Sequence, residues 1–128
     1  MEKLLGPFQG SIYALLRFVA GMAFALHGFQ KLFGAFGGRQ ANLMSQMGLA
    51  GLIEAIGGPL IALGFFTSPI AFIASGEMAV AYFQAHFPRG PLPIENGGEA
   101  ALLYCFIFLY FAAVGSGKWS VDAMRRGK

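Results

Sequence analysis

A chain of 128 residues with 56% apolar and 12% charged side chains, and a mean hydropathy of +0.61, carries more apolar surface than a soluble domain of that size can hide. It reads as one integral membrane domain, residues 1–128, long enough for about four spans. The net charge of +3 comes mostly from the C-terminal tail, so no basic face for nucleic acid exists, and the single Cys105 excludes an internal disulfide and two-thiol redox chemistry.

Residues 1–10 form a short entry segment with Gly6, Pro7 and Gly10 as breakers. Lys3 precedes an apolar stretch, as in a signal peptide, but the run is too long, contains Arg17 and lacks a small-residue cleavage site. The first span is therefore expected to stay in place, over about Ser11 to Phe33. Within it Arg17, His27, Gln30 and Lys31 are out of place in hydrocarbon unless the fold receives them.

A loop follows at 34–47, polar at Arg39, Gln40, Asn42, Ser45 and Gln46, with a short amphipathic piece at the interface around Asn42 to Met47. The second span, about Gly48 to Phe66, holds Glu54 and a Gly57-Gly58-Pro59 interruption, with Gly57, Gly58, Gly64 and Ala62 as a small-residue packing face. The Thr67-Ser68-Pro69 turn is so short that the next span, about Pro69 to Phe87, must run antiparallel to it, carrying Glu77, Gln84 and His86. After a proline- and glycine-rich loop at 88–98, the fourth span covers about Glu99 to Val114 and is rich in aromatics, a candidate wall for a flat apolar molecule. Lys118, Trp119, Arg125, Arg126 and Lys128 then mark a basic interfacial tail.

The expected fold is all-α: an antiparallel up-down four-helix bundle in the membrane. Four spans put both termini on one side, which carries Lys3, Lys118, Arg125, Arg126 and Lys128 against Lys31, Arg39 and Arg89 opposite. Positive charge favours the cytoplasm, so both termini are expected inside a cell inner membrane.

At about 1.5 Å of rise per residue, Arg17 lies roughly 9 Å into its span and His27 roughly 24 Å. Glu54 enters from the opposite surface by about 9 Å, level with His27, while Glu77 falls near the middle of its helix, close to Arg17. Two groups follow. Arg17 and Glu77 form an expected structural ion pair, with Arg17 also a source of fixed positive charge. His27, Lys31, Glu54, His86 and Glu99 form a polar cluster opening to the non-cytoplasmic side, in which His27 moves a proton and Glu54 orients it. No tight metal-ligand spacing, phosphate loop, GxGxxG, CxxC or HExxH occurs, so metal, nucleotide, flavin and covalent haem lack support.

Residues Leu16-Arg17-Phe18-Val19-Ala20-Gly21 with His27-Gly28-Phe29-Gln30-Lys31-Leu32-Phe33 closely resemble the first helix of DoxX-type membrane proteins. Gly51-Leu52-Ile53-Glu54-Ala55-Ile56-Gly57-Gly58 and Leu63-Gly64-Phe65-Phe66-Thr67 resemble the second. The resemblance continues in order through Ala85-His86-Phe87-Pro88, Glu95-Asn96-Gly97-Gly98-Glu99 and Gly115-Ser116-Gly117-Lys118-Trp119-Ser120-Val121-Asp122. It implies a four-helix membrane protein in a redox setting, since the family is named for a subunit similar to one of thiosulfate:quinone oxidoreductase. Some members are associated with membrane oxidoreductase complexes in oxidative-stress defence.

The resemblance carries no catalytic residues over to this chain. The leading expectation is a subunit or accessory of a quinone-linked oxidoreductase system, with quinone as substrate rather than a resident cofactor. Its expected partners are the lipid bilayer, soluble or membrane redox enzymes and a second copy of the chain. The alternatives are a non-enzymatic scaffold, a small transporter using the same polar cavity, or charges that only hold the bundle together.

Overall fold

The structure, a computed structural model, describes all residues except Arg39, Leu43 and Lys128. Arg39 and Lys128, both used in the charge comparison above, thus lie outside the described residues, as does Leu43 of the expected amphipathic piece.

The described chain is all-helical. A short helix α1 (Glu2–Leu5) and one 3-10 turn lead into α2 (Gln9–Phe33), so Gly6, Pro7 and Gly10 do not break the entry segment. Helix α3 (Gln46–Leu63) follows, then α4 (Thr67–Ala81), which continues through a π-helical turn at Tyr82–His86 and a 3-10 turn at Phe87–Arg89. A single turn α5 (Pro93–Asn96), the aromatic helix α6 (Glu99–Val114) and a tail helix α7 (Val121–Arg125) complete the chain. Two helical stretches, Glu2–Phe33 and Gln46–Leu63, are long and apolar enough to cross a membrane, and α6 is a shorter apolar helix.

Helices α2 and α3 meet backbone to backbone. Small residues recur on facing stripes: Gly21, Ala25 and Gly28 on α2, and Ala55, Gly58 and Ala62 on α3. A Cβ on Gly21 would stand 2.5 Å from Ala62 N, and one on Gly58 would stand 2.6 Å from both Ala25 N and Gly21 O. In lipid, where burying apolar side chains gains little, this close approach is what holds two helices together. The expected Gly57-Gly58-Pro59 interruption is corrected: α3 runs through it unbroken, with Gly58 at the helix contact and Gly57 turned toward Ile70.

Helices α4 and α6 form the second tight pair. Ala71, Ala74 and Ala101 bring them close, and Ser75 and Ser68 hydroxyls donate to the carbonyls of Cys105 (2.7 Å) and Ala112 (2.6 Å). Between the pairs lies a core of Phe24, Ile61, Met78, Phe108 and Phe111, with Phe24 and Phe108 edge to face at 4.7 Å. Phe108 and Phe111 thus fill the core instead of walling a ligand site, while Phe106 and Tyr110 face outward. Large apolar side chains on the outer faces of all four long helices, among them Phe18, Leu52, Phe72 and Phe106, are exposed. Patches of that kind are what a soluble monomer avoids.

The backbone contact makes a prediction. Gly58→Ala should lower the thermal midpoint of the detergent-solubilised protein, at a cost of about 1–3 kcal/mol for overpacking. Gly76→Ala, where an added Cβ meets nothing within 4 Å, should leave it within about 0.5 kcal/mol.

Candidate functional site

Each long helix sends one polar side chain toward the same region. From α2, the Lys31 ammonium meets Oε1 of Glu54 on α3 at 2.7 Å, and the Glu54 side chain is only 1% exposed. From α4, the Glu77 carboxyl lies in hydrogen-bonding reach of the Glu54 carboxyl. From α6, Tyr104 stands within electrostatic reach of Glu54. Two buried carboxyl oxygens here, Oε2 of Glu54 and Oε1 of Glu77, have no hydrogen-bond partner among the described residues.

Glu77 also lines a groove of about 570 Å³ between α3 and α4. The groove is walled mainly by apolar groups, including Leu49, Ile53, Ile73 and Val80, and has an open floor at Gly76. Gln46 and Gln84 face each other across it, Nε2 donating to Oε1 at 2.6 Å. Gln84 sits in the π-helical turn, a local widening often found where a helix must present side chains to a ligand.

The expected Arg17–Glu77 pair is corrected. Arg17 is 2% exposed and donates to five main-chain carbonyls: Ile61 (3.1 Å) and Ala62 (3.4 Å) on α3, and Ser116 (2.5 Å), Lys118 (3.3 Å) and Trp119 (2.8 Å) of the tail. A guanidinium fork matches such a ring of acceptors, whereas a carboxylate would satisfy only two of its five donors. Glu77 sits far along α4, at the level of Glu54. Both lie ten or eleven residues from the Gly64–Phe66 turn, about 15 Å along their helices. That symmetry about a tight turn was readable from the sequence and would have paired them.

The expected five-residue cluster is divided. Lys31 and Glu54 come together, but His27 is exposed on α2, its ring 6.2 Å edge-on from that of Tyr104. His86 caps the opposite loops, its Nδ1 3.2 Å from Asn96 O. Asn96, 1% exposed, ties that end together through Tyr82 Oη, Gly90 O and Gly98 N. Glu99 is exposed in the first turn of α6, where a carboxylate suits the helix dipole. Neither histidine has a carboxylate within ion-pairing distance among the described residues.

At the Arg17 end, the tail is strapped to the α3–α4 turn. Gly64 adopts φ +74°, and an added Cβ there would collide with Ser120, so the position requires glycine. Asp122 accepts from Phe66 N (2.9 Å) and the Ser116 hydroxyl (2.6 Å), and its own N–H donates to Gly64 O (3.0 Å). The Asp122 bond to its N–H holds Phe66, and the Arg17 bond to its carbonyl holds Trp119, both non-glycine residues at φ above +50°, in a conformation bulky side chains resist. The Ser116 hydroxyl above all, with Phe66 N–H and the charges of Arg126 and Arg125, holds the Asp122 carboxyl below the usual aspartate range against the opposing effect of burial.

Arg17→Met should destabilise the protein by roughly 3 kcal/mol or more, and Arg17→Lys should recover only part of that loss, read as thermal midpoints in detergent. Because the Asp122 pKa is depressed in the fold, its stabilisation is complete above the unfolded value of about 3.9 and is lost as pH falls through the folded value. The midpoint gap between wild type and Asp122→Asn should therefore be widest above about pH 4 and should shrink below it.

The DoxX family model matches residues 12–87, which contain Arg17, Lys31, Glu54 and Glu77 and both walls of the groove. An uncharacterized protein of Haemophilus influenzae is 45% identical over 125 residues, covering 92% of this chain and 93% of its own length. No solved structure matches the chain. Its apolar outer faces and its match to a membrane-associated family make this a membrane protein, and the chain belongs to the DoxX family.

Proposed function

We propose that this protein spans the cell inner membrane as an up-down bundle of α2, α3, α4 and α6, and binds a quinone within a membrane oxidoreductase system. The groove between α3 and α4 carries this reading. Its 570 Å³ falls in the usual range for small-molecule sites, its walls are apolar, and its polar groups are few and convergent: Glu77, Gln46 and Gln84. A quinone is a flat apolar ring with two acceptor oxygens, and it reaches such a groove laterally from the bilayer. Glu77 and the glutamine amides replace His27 in the role first expected of the histidine.

The span lengths agree with a bundle in the membrane. Thr67 to His86 is continuous helix of about 30 Å, the thickness of the hydrocarbon core. The orientation with both termini cytoplasmic gains support from Lys31, which is bound to Glu54 and so drops out of the opposing loop charge. Lys3, Lys118, Arg125 and Arg126 remain at the terminal end against Arg89 at the other among the described residues.

A small transporter is the second reading, favoured by the file of Lys31, Glu54 and Glu77 across α2, α3 and α4. Solute flux in vesicles that disappears in Glu54→Gln would select it.

Purified protein should bind a short-chain benzoquinone, and Gly76→Phe, which fills the groove from an open position, should weaken binding by more than about tenfold while leaving the thermal midpoint unchanged. A wild-type protein that binds no benzoquinone overturns the reading.

A further inference from the structure

At the level of Lys31 the charges do not balance locally: one ammonium faces two carboxyls, Glu54 and Glu77, while Arg17 is held at the other end by main-chain carbonyls. Oε1 of Glu54 takes the lysine, which leaves its Oε2 buried beside the Glu77 carboxyl, whose Oε1 is equally buried and unpartnered among the described residues. Two oxygen acceptors in contact repel unless a proton lies between them. Among the described residues nothing else in reach supplies a donor from a charged group. The groups facing the pair are Lys31 from α2, already engaged, and Tyr104 from α6, with His27 beyond the Tyr104 ring and only neutral Gln46 and Gln84 on the groove side.

We propose that Glu54 and Glu77 share one proton across the α3–α4 interface, and that Glu77 turns this proton to an acceptor oxygen of the ligand in the groove. With the proton in place, Lys31 and Glu54 neutralise each other and Glu77 is an uncharged acid, so this level of the bundle holds no net charge. Without it, a lone negative charge is left in surroundings that penalise it severely. The lysine assigns the roles: its contact with Glu54 keeps that carboxyl ionised, so the proton resides on Glu77, the member that lines the groove. The ligand class follows. The groove favours a neutral head group with carbonyl acceptors, and affinity is lost once the proton leaves at high pH. The ligand half of this inference rests on the quinone reading, whereas the shared proton does not.

Infrared spectroscopy of the full chain in detergent tests the proton directly. Wild type at neutral pH should show a buried carboxylic-acid carbonyl band that is absent in Glu77→Gln and shifted in Glu54→Gln, where the acid loses its partner. No such band in wild type, or a band that survives in Glu77→Gln, overturns the proposal.

Binding of a short-chain benzoquinone tests the second half. Affinity in wild type should fall about tenfold as pH rises through the range where the band disappears, the cost of one lost buried hydrogen bond. Glu77→Gln, which keeps a donor of similar shape, should bind at every pH without that dependence, and Glu77→Leu should bind about tenfold more weakly throughout. The same pH dependence in Glu77→Gln overturns the ligand half. A band with no benzoquinone binding at any pH overturns the quinone reading and leaves the shared proton standing.

Discussion

An ionised side chain inside an apolar bundle has to be answered by the protein itself, and this chain answers it at two levels. Near the terminal end Arg17 is ringed by main-chain carbonyls from α3 and the tail. In the last turn of α2, Lys31 is answered by Glu54, with Glu77 behind it. The first arrangement uses up every donor of the guanidinium, so that although Arg17 borders a cavity of about 320 Å³ beside the tail, it has no donor left to offer there. It ties the tail to the α3–α4 turn and is structural. The second leaves carboxyl oxygens unpartnered beside a groove, and chemistry has somewhere to act there.

The glycine contact between α2 and α3 makes the second arrangement possible. Because the two backbones touch at Gly28 and Ala55, the ammonium of Lys31 falls directly on Glu54 without the stretch of a long, mobile side chain. On the other side, α3 and α4 are joined by a tight turn and leave a groove between them, bridged at its far end by the Gln46–Gln84 hydrogen bond. One helix pair is closed to the limit of sterics and its neighbour stays open. Glu54 sits on the closed seam and Glu77 on the open one, so the contact between them connects the Lys31–Glu54 ion pair with a ligand-accessible wall.

Much of the fold was legible in the chain itself. The four apolar segments were placed from hydropathy and breaker residues, and α6 begins and ends where expected, at Glu99 and Val114. Helix α2 starts two residues earlier than expected, and α3 ends at Leu63 instead of Phe66 because Gly64 takes the left-handed conformation and caps it. The tail was read only as a basic strip, although Ser120 at the first position of Ser120-Val121-Asp122-Ala123 caps a short helix through the Ala123 N–H. The site was less legible. Lys31, Glu54 and Glu77 were each singled out for their charge, but depth counted from uncertain helix ends set Glu77 beside Arg17.

Composition, hydropathy and the intramembrane charges were sufficient to establish a helical membrane protein, its segments and the residues needing explanation, because each is a property of a stretch of chain and its solvent. Which charge meets which depended on how closely the helices approach and on the register between them. Those were decided by Gly21, Gly28 and Gly58 touching backbone across one seam, and by a tail that returns from residue 116 to occupy Arg17. Such contacts join residues about thirty to a hundred positions apart, and no local pattern around Arg17 or Glu77 encodes them.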